Sequence, residues 1–292
     1  MSAGGTRIAT APSVWRCRDR ALSLDAPLVV GVVNVTPDSF SDGGRHLDAE
    51  TALAHARRLL DEGADLVELG AESTRPGAEP VPADEQWRRL APVVTTLARE
   101  PLAVISIDTA SAAVAERALA EGAHVINDVS ALGDPAMAGL VAQSGAGLVL
   151  MHMRGTPATM QQDPRYDDVV AEVAAFLAAR RDTAVAAGVA REAIALDPGI
   201  GFGKTVAHNL ALLAGLDTFV ALGQPVLIGV SRKRFLGTLT GDLPPEERLE
   251  AGLAAAAISV MQGAAIVRTH DVRATVRALA VATAIRDARI RS

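Results

Sequence analysis

Thiols are almost absent from this 292-residue chain, in which Cys17 is the only cysteine. No intramolecular disulfide can form, which fits a reducing compartment, and with no H-x-x-x-H pair among the six histidines a structural zinc site is disfavoured. Lysine is nearly as scarce: Lys204 and Lys233 stand against 26 arginines, so no lysine-rich surface exists and each lysine merits attention. A basic surplus is missing too. The 28 Lys and Arg residues face 34 Asp and Glu, for a net charge of −6. That argues against nucleic acid or an anionic membrane as the main partner, since both select a basic face that displaces counterions. Long hydrophobic runs are also lacking. The opening MSAGGTRIATAPSVWRCRDR holds no apolar core of signal-peptide length. The uncharged stretch Ala251 to Val267 has 17 residues and is interrupted by Gln262 and Gly263, too little to span a bilayer comfortably. A cytoplasmic protein is expected.

What is present is enough for a large core. Apolar residues make up 49% and charged residues 21%, a balance that folds rather than staying disordered. Short Val/Ile/Leu runs alternate with longer Ala/Arg/Glu segments at helical spacing. The runs are 28–34, 65–70, 103–108, 124–127, 147–152, 194–197, 225–229 and 265–268. They are continuous rather than alternating, as strands buried on both faces are. Helices are predicted over 48–62, 84–99, 111–121, 167–188 and 246–262, with Ser111 as a start signal and Gly63, Gly122 and Gly188 as stops. Eight such units with no composition break predict an α/β protein, a closed (β/α)8 TIM barrel over residues 28–292. Residues 1–27 form a short N-terminal extension, with VWRCRDRALSL as a possible hairpin at the barrel bottom. A doubly wound sheet is the alternative, disfavoured because no G-x-G-x-x-G follows the first strand.

Ligand sites of such barrels lie at the carboxyl ends of the strands. Those ends read Asn34, Glu72-Ser73-Thr74-Arg75, Asp108, Asn127-Asp128, His152, Asp197, Ser231-Arg232-Lys233 and Arg268-Thr269-His270. Any single strand-end Asp or Asn is most often a cap or turn former; Asp108 could cap the helix near Ser111, and Asp271 the last helix. Polar groups at all eight ends favour a ligand site. Asp108, Asn127 and Asp197 suit the N–H edge of a flat heterocycle, where a carboxylate accepts paired, charge-assisted hydrogen bonds. Arg75, Arg232, Lys233, Arg234, Arg268 and His270 suit an anion, and the last two strand ends are the usual phosphate side of this architecture. A run such as 232–234 is normally a solvated face, but its place directly after the strand PVLIGV favours function. The GFGKT at 201–205 imitates a phosphate loop and fails, because Pro198 stands where its first glycine belongs. His152 is as consistent with strand-end packing as with ligand contact.

Taken together, GVVNVTPDSFSDGG (31–44), LGAESTRPGAEPV (69–81), ISIDT (105–109), INDVSAL (126–132), LVLMHMRGTPATMQ (148–161), LDPGIGFGKT (196–205), GVSRKRFLG (229–237) and VRTHDV (267–272) resemble the dihydropteroate synthases, in order and over roughly 28–273. The resemblance implies a folate-biosynthesis transferase that joins para-aminobenzoate to 6-hydroxymethyl-7,8-dihydropterin diphosphate, releasing diphosphate and 7,8-dihydropteroate. It implies a homodimer that uses Mg2+ and is a sulfonamide target. By motif, Asn34 would contact the metal. Asp108, Asn127, Asp197 and Lys233 would hold the pterin, with Phe202 as a wall, and Thr74, Arg268 and His270 would hold the diphosphate. Phe40, Arg75, Pro76 and Ser231 would line the para-aminobenzoate pocket. Asp38, Arg75 and Asp108 would act on the reacting groups. The loops 35–48 and 70–82 are expected to order over substrate. Departures from the pattern are Ala71 and Ala131, where glycine is common, and Thr269 for valine. A methyltransferase of the same pterin-binding type and a catalytically silent paralogue are the rivals; intact loop motifs count against both. A Schiff-base aldolase fails, because neither lysine lies inside a strand.

Overall fold

The computed structural model describes residues 12–35, 45–72 and 79–291. Eight parallel strands form the barrel: β3 (Leu28–Asn34), β4 (Leu66–Gly70), β5 (Ile105–Asp108), β6 (Val125–Asp128), β7 (Gly147–Met151), β8 (Ile194–Asp197), β9 (Leu227–Gly229) and β10 (Ile266–Thr269). The hydrogen-bonded order runs β8-β7-β6-β5-β4-β3-β10-β9. A parallel bridge from Leu196 to Val226, with the Leu196 amide donating to Pro225 O at 2.9 Å, closes β8 onto β9. Strands such as β4 and β7 are buried along their whole length, which is why they read as unbroken apolar runs.

Around them lie α1 (Arg45–Asp61), α2 (Ala83–Leu97), α3 (Ala112–Ala120), α4 (Met137–Ser144), α5 (Val169–Ala186), α6 (Val206–Ala214), α7 (Leu216–Val220), α8 (Arg234–Leu239), α9 (Leu249–Met261) and α10 (Val272–Arg291). In α2 the buried Leu90, Val93, Val94 and Leu97 recur at helical spacing, so one stripe faces the strands. The stop glycines Gly63, Gly122 and Gly188 all have positive φ, the conformation that ends a helix at least cost. Two start signals read differently in the structure. Ser111 makes no side-chain cap, and Asp134 from the following unit accepts the Ala112 amide instead, at 2.9 Å. The predicted helix over 246–262 begins only at Leu249, because 245–247 form a 3-10 turn and the Arg248 side chain folds back onto the carbonyls of Leu243 and Arg232.

Ahead of the barrel, β1 (Val14–Cys17) and β2 (Arg20–Ser23) pair as an antiparallel hairpin. Trp15 and Cys17 are buried against the starts of the barrel strands, among them Leu28, Leu66, Val125 and Ile266. The Trp15 indole donates to Ala193 O at 2.9 Å, satisfying the one polar atom the ring takes out of water. Arg18 donates to the carbonyls of Leu119 and Ala123. The seat is tight: a Cβ on Gly147 would fall 2.7 Å from Cys17 Sγ. The hairpin therefore plugs the end opposite the strand-end carboxylates. Among the described residues, no helix is long and apolar enough to cross a membrane.

Candidate active site

At the carboxyl mouth, β4, β5 and β10 bring three charges together. Arg268, reaching from β10, pairs through Nε with Glu68 of β4 and places an Nη 3.2 Å from Asp108 Oδ2. Glu68 is 1% exposed and also accepts from Ser106 Oγ at 3.4 Å. A guanidinium between two carboxylates satisfies its fork of donors and compensates charges that would otherwise be costly to bury. Burial holds the Asp108 carboxyl well above its ordinary range, and the nearby Glu68 charge adds to that. Burial alone would lower Arg268, but Glu68 and Asp108 outweigh it and keep the guanidinium firmly protonated. Asp108 thus spends its carboxylate on Arg268 and does not cap α3. Arg268, expected on the anion side, sits directly among the acceptors. Glu68 was missed in the sequence; its one signal is a carboxylate inside the apolar run LVELG.

Beyond β6 the two adjacent polar residues divide their work. Asp128 builds the loop, accepting from the Ser130 amide and hydroxyl and, at 2.7 Å, from the Leu132 amide. That turn carries Ala131 and Leu132 at φ 48° and 67°, the left-handed region that makes glycine common at position 131. Ala71, the other departure, is not among the positive-φ residues. Asn127 is 3% exposed, and its Oδ1 has no hydrogen-bond partner among the described residues. A buried amide oxygen left unpaired costs about 1–3 kcal/mol, which is the signature of a group held ready for a donor.

Asp197 ends β8, buried, with Oδ1 accepting from the Gly199 amide at 2.7 Å. Burial raises its pKa, and the Lys233 charge opposes that rise. The following turn alternates Gly199, Gly201 and Gly203 at positive φ with Ile200 and Phe202. A Cβ on Gly199 would collide with His152 O. Lys233 lies over this turn: Nζ donates to Ile200 O and stands 4.6 Å from the Phe202 ring centroid. Burial pushes Lys233 down to about 8, with Asp197 acting against the shift. His152 packs at the end of its strand, edge-on to Phe176 at 4.9 Å, with Nδ1 3.0 Å from Lys204 Nζ.

On the remaining arc, His270 Nδ1 lies 3.1 Å from Ser231 Oγ, which also accepts the His270 amide at 3.2 Å. Arg232, at φ 58°, is held by both oxygens of Asp271; of the basic run 232–234 it is thereby committed to structure, and Asp271 to Arg232. Thr269 uses the hydroxyl that valine lacks to meet Thr275 Oγ1 at 3.0 Å and to accept the Asp271 amide ahead of α10. Asn34 stands half-buried at the end of β3, beside Gly70 of β4. Glu72 accepts from the Val81 amide at 3.0 Å and from Gln86 Nε2 at 3.2 Å. Asp38, Phe40, Thr74, Arg75 and Pro76, and with them most of the two long loops, lie outside the described residues.

The site joins a buried Asp/Asn acceptor set to one lysine and one arginine at the carboxyl mouth of a (β/α)8 barrel, so that hydrogen-bond acceptors and positive charge face one opening. The family model described as pterin binding enzyme matches residues 30–270. The dihydropteroate synthase of Neisseria meningitidis serogroup B is 50% identical over 274 residues, covering 92% of this chain and 96% of its own. The Yersinia pestis dihydropteroate synthase, solved with a sulfonamide drug complex, superposes with a TM-score of 0.88 at 44% identity, over 94% of this chain and 99% of that one. The Xanthomonas albilineans enzyme in complex with 7,8-dihydropteroate gives a TM-score of 0.84 at 46% identity, over 93% and 98%. The chain belongs to the pterin-binding enzyme family and, within it, to the dihydropteroate synthases.

Proposed function

We propose that this chain joins para-aminobenzoate to 6-hydroxymethyl-7,8-dihydropterin diphosphate, forming 7,8-dihydropteroate and diphosphate, with the residues above in the following roles. The observation that carries the reading is the buried, unpaired Oδ1 of Asn127 in one mouth with Asp108, Asp197, Lys233 and Arg268. Asp197 and Asn127 accept from the amino and ring N–H edge of the pterin. Lys233 donates to its ring carbonyl or nitrogen, and Phe202 walls one face. Arg268, His270 and Thr74 hold the diphosphate. Ser231, Phe40, Arg75 and Pro76 line the para-aminobenzoate pocket, where sulfonamides compete.

The C–O bond of the exocyclic CH2 breaks as its electron pair leaves with diphosphate, and the aniline nitrogen attacks the carbon and gives up one proton to the departing diphosphate or to solvent. Fixed positive charge at Arg268 stabilises the departing group without reorganising. Asp108 and Asp38 stabilise positive charge developing on the pterin. Among the described residues no three His, Cys, Asp or Glu side chains gather into a metal cage. A single amide oxygen at Asn34 suits an ion that keeps its waters and takes its other oxygens from substrate phosphates, which is the habit of Mg2+. Bound there, magnesium would neutralise charge on the diphosphate.

We take the working unit to be a cytoplasmic homodimer. Ile258 on α9 and Val281 and Ile285 on the adjoining α10 are large apolar side chains left exposed, and light scattering at twice the 30.2 kDa chain mass checks this. For the reaction, the pure protein is incubated with both substrates and Mg2+, and dihydropteroate is sought by mass, beside an EDTA control and a Lys233→Ala variant. Product lost in both controls supports the reading. Wild-type protein that binds pterin but forms no product would overturn it.

A further inference from the structure

The second lysine has no place in the mechanism above, yet it is almost fully enclosed: Lys204 is 3% exposed. Its Nζ meets three acceptors: Phe202 O at 2.9 Å, His152 Nδ1 at 3.0 Å and His152 O at 3.4 Å. An ammonium has three N–H donors and no acceptor, so the charged form uses every proton it carries; burial pushes Lys204 down to about 7, with the Asp197 charge acting against the shift. Burial holds the His152 ring neutral, down to about 3, with the Lys204 charge acting in the same direction. Its Nδ1 can then accept.

These contacts cross from the end of β7 to the turn after β8. That turn is tied elsewhere by contacts nearer the surface: Gln161 Nε2 donates to Gly201 O at 2.8 Å and Tyr166 Oη to Gly203 O at 3.0 Å. It also lies hard against 152–154, since a Cβ on Gly203 would come within 2.5 Å of Arg154 O. With glycines at 199, 201 and 203, the turn has few side chains with which to fix its own shape. What it presents to the mouth is the Phe202 ring and the Ile200 carbonyl, both engaged by Lys233. The chain of contact therefore runs from Lys204 to the Phe202 backbone, then to the Phe202 ring and Lys233.

We propose that Lys204 is a positioning residue for the pterin pocket: its buried Nζ latches the 198–205 turn to the end of β7, so that Phe202 and Lys233 stand in register for the ring. It does not touch substrate. The inference rests on the pterin pocket assigned under the proposed function.

The test is Lys204→Met, which keeps the stem and removes the donors, with Lys204→Gln as a second variant that retains an amide donor. Thermal unfolding is recorded for each, and 6-hydroxymethylpterin binding is measured by fluorescence, independently of turnover. We expect the pterin Kd and the KM for the pterin diphosphate to rise about tenfold in Lys204→Met, less in Lys204→Gln, with the para-aminobenzoate KM unmoved. In a Phe202→Ala background the same substitution should add less than its single-site effect, since both act through one wall. An unchanged pterin Kd, parallel rises in both KM values, or full additivity with Phe202→Ala would overturn the positioning role. Loss of wild-type turnover with the pterin Kd contrast intact would count against the reaction assignment and leave the latch supported.

Discussion

Glu68 offers the sharpest test of how the mouth is held together. Glu68→Gln keeps the side chain's volume and removes its charge, leaving Arg268 with Asp108 as its one described carboxylate partner. Removing one member of a buried ion pair typically costs about 3–5 kcal/mol. Because Asp108 still compensates the guanidinium, the lower end applies, about 3 kcal/mol. At roughly 2–4 °C per kcal/mol for chains of this general size, the melting temperature should fall by about 6–12 °C. Differential scanning calorimetry measures this directly. The same substitution removes the negative charge that helps to raise Asp108. Asp108 should then ionise more readily, and any limb of the pH–rate profile that reports it should move to lower pH. Activity should drop as well, since a neutral amide oxygen holds the Arg268 Nε less firmly than the carboxylate does. A melting temperature within about 2 °C of wild type, together with an unmoved pH profile, would refute the reasoning.

Lys233, held down to about 8 by burial, loses its charge as pH rises through that value, so pterin affinity should weaken on the alkaline side; a Lys233→Met variant, titrated by fluorescence, should bind weakly and without that limb. Gly199→Ala would force a Cβ into His152 O at a positive φ, and urea unfolding should show a loss of about 1–3 kcal/mol along with weaker pterin binding. Ala131→Gly relieves a left-handed alanine and should raise stability by about 1 kcal/mol, read from the urea midpoint. Trp15→Ala should cost about 3–5 kcal/mol at the barrel bottom while leaving the KM values of the folded fraction unchanged.

The barrel was legible because burial on both faces forces unbroken apolar strands, and each strand end then announces itself by the first polar residue. Asp108, Asn127, Asp197 and Arg268 were placed at the mouth that way, and Lys233 by the polar run that opens at Ser231. Glu68 was not, since it sits inside its run and its partner lies 200 residues away; nothing local marks it. Lys204 was noticed as one of two lysines, but GFGKT was judged only as a failed phosphate loop, and the partner that explains the lysine, His152, is 52 residues distant. The basic run 232–234 misled in part, because Asp271, which occupies Arg232, belongs to the next strand–helix unit. Short helices such as α7 and α8, five and six residues long, carry too few turns for a periodic signal. What sequence periodicity cannot carry is pairing across the barrel, and the centre of this site is made of such pairs.

The hairpin at the opposite end bears on how the chain is assembled during synthesis. Trp15 is synthesised well before its partners: its indole bonds a carbonyl 178 positions later, and its apolar seat is built from the starts of the eight barrel strands. The hairpin must therefore wait for the barrel strands that follow it, a contact of very high sequence separation that folding reaches late. Until β10 arrives, Trp15 and its neighbours have only part of a socket. Seating of the hairpin is thus a mark of completion, and a chain stopped short of its last strand would be left with that indole in water, where quality control can find it.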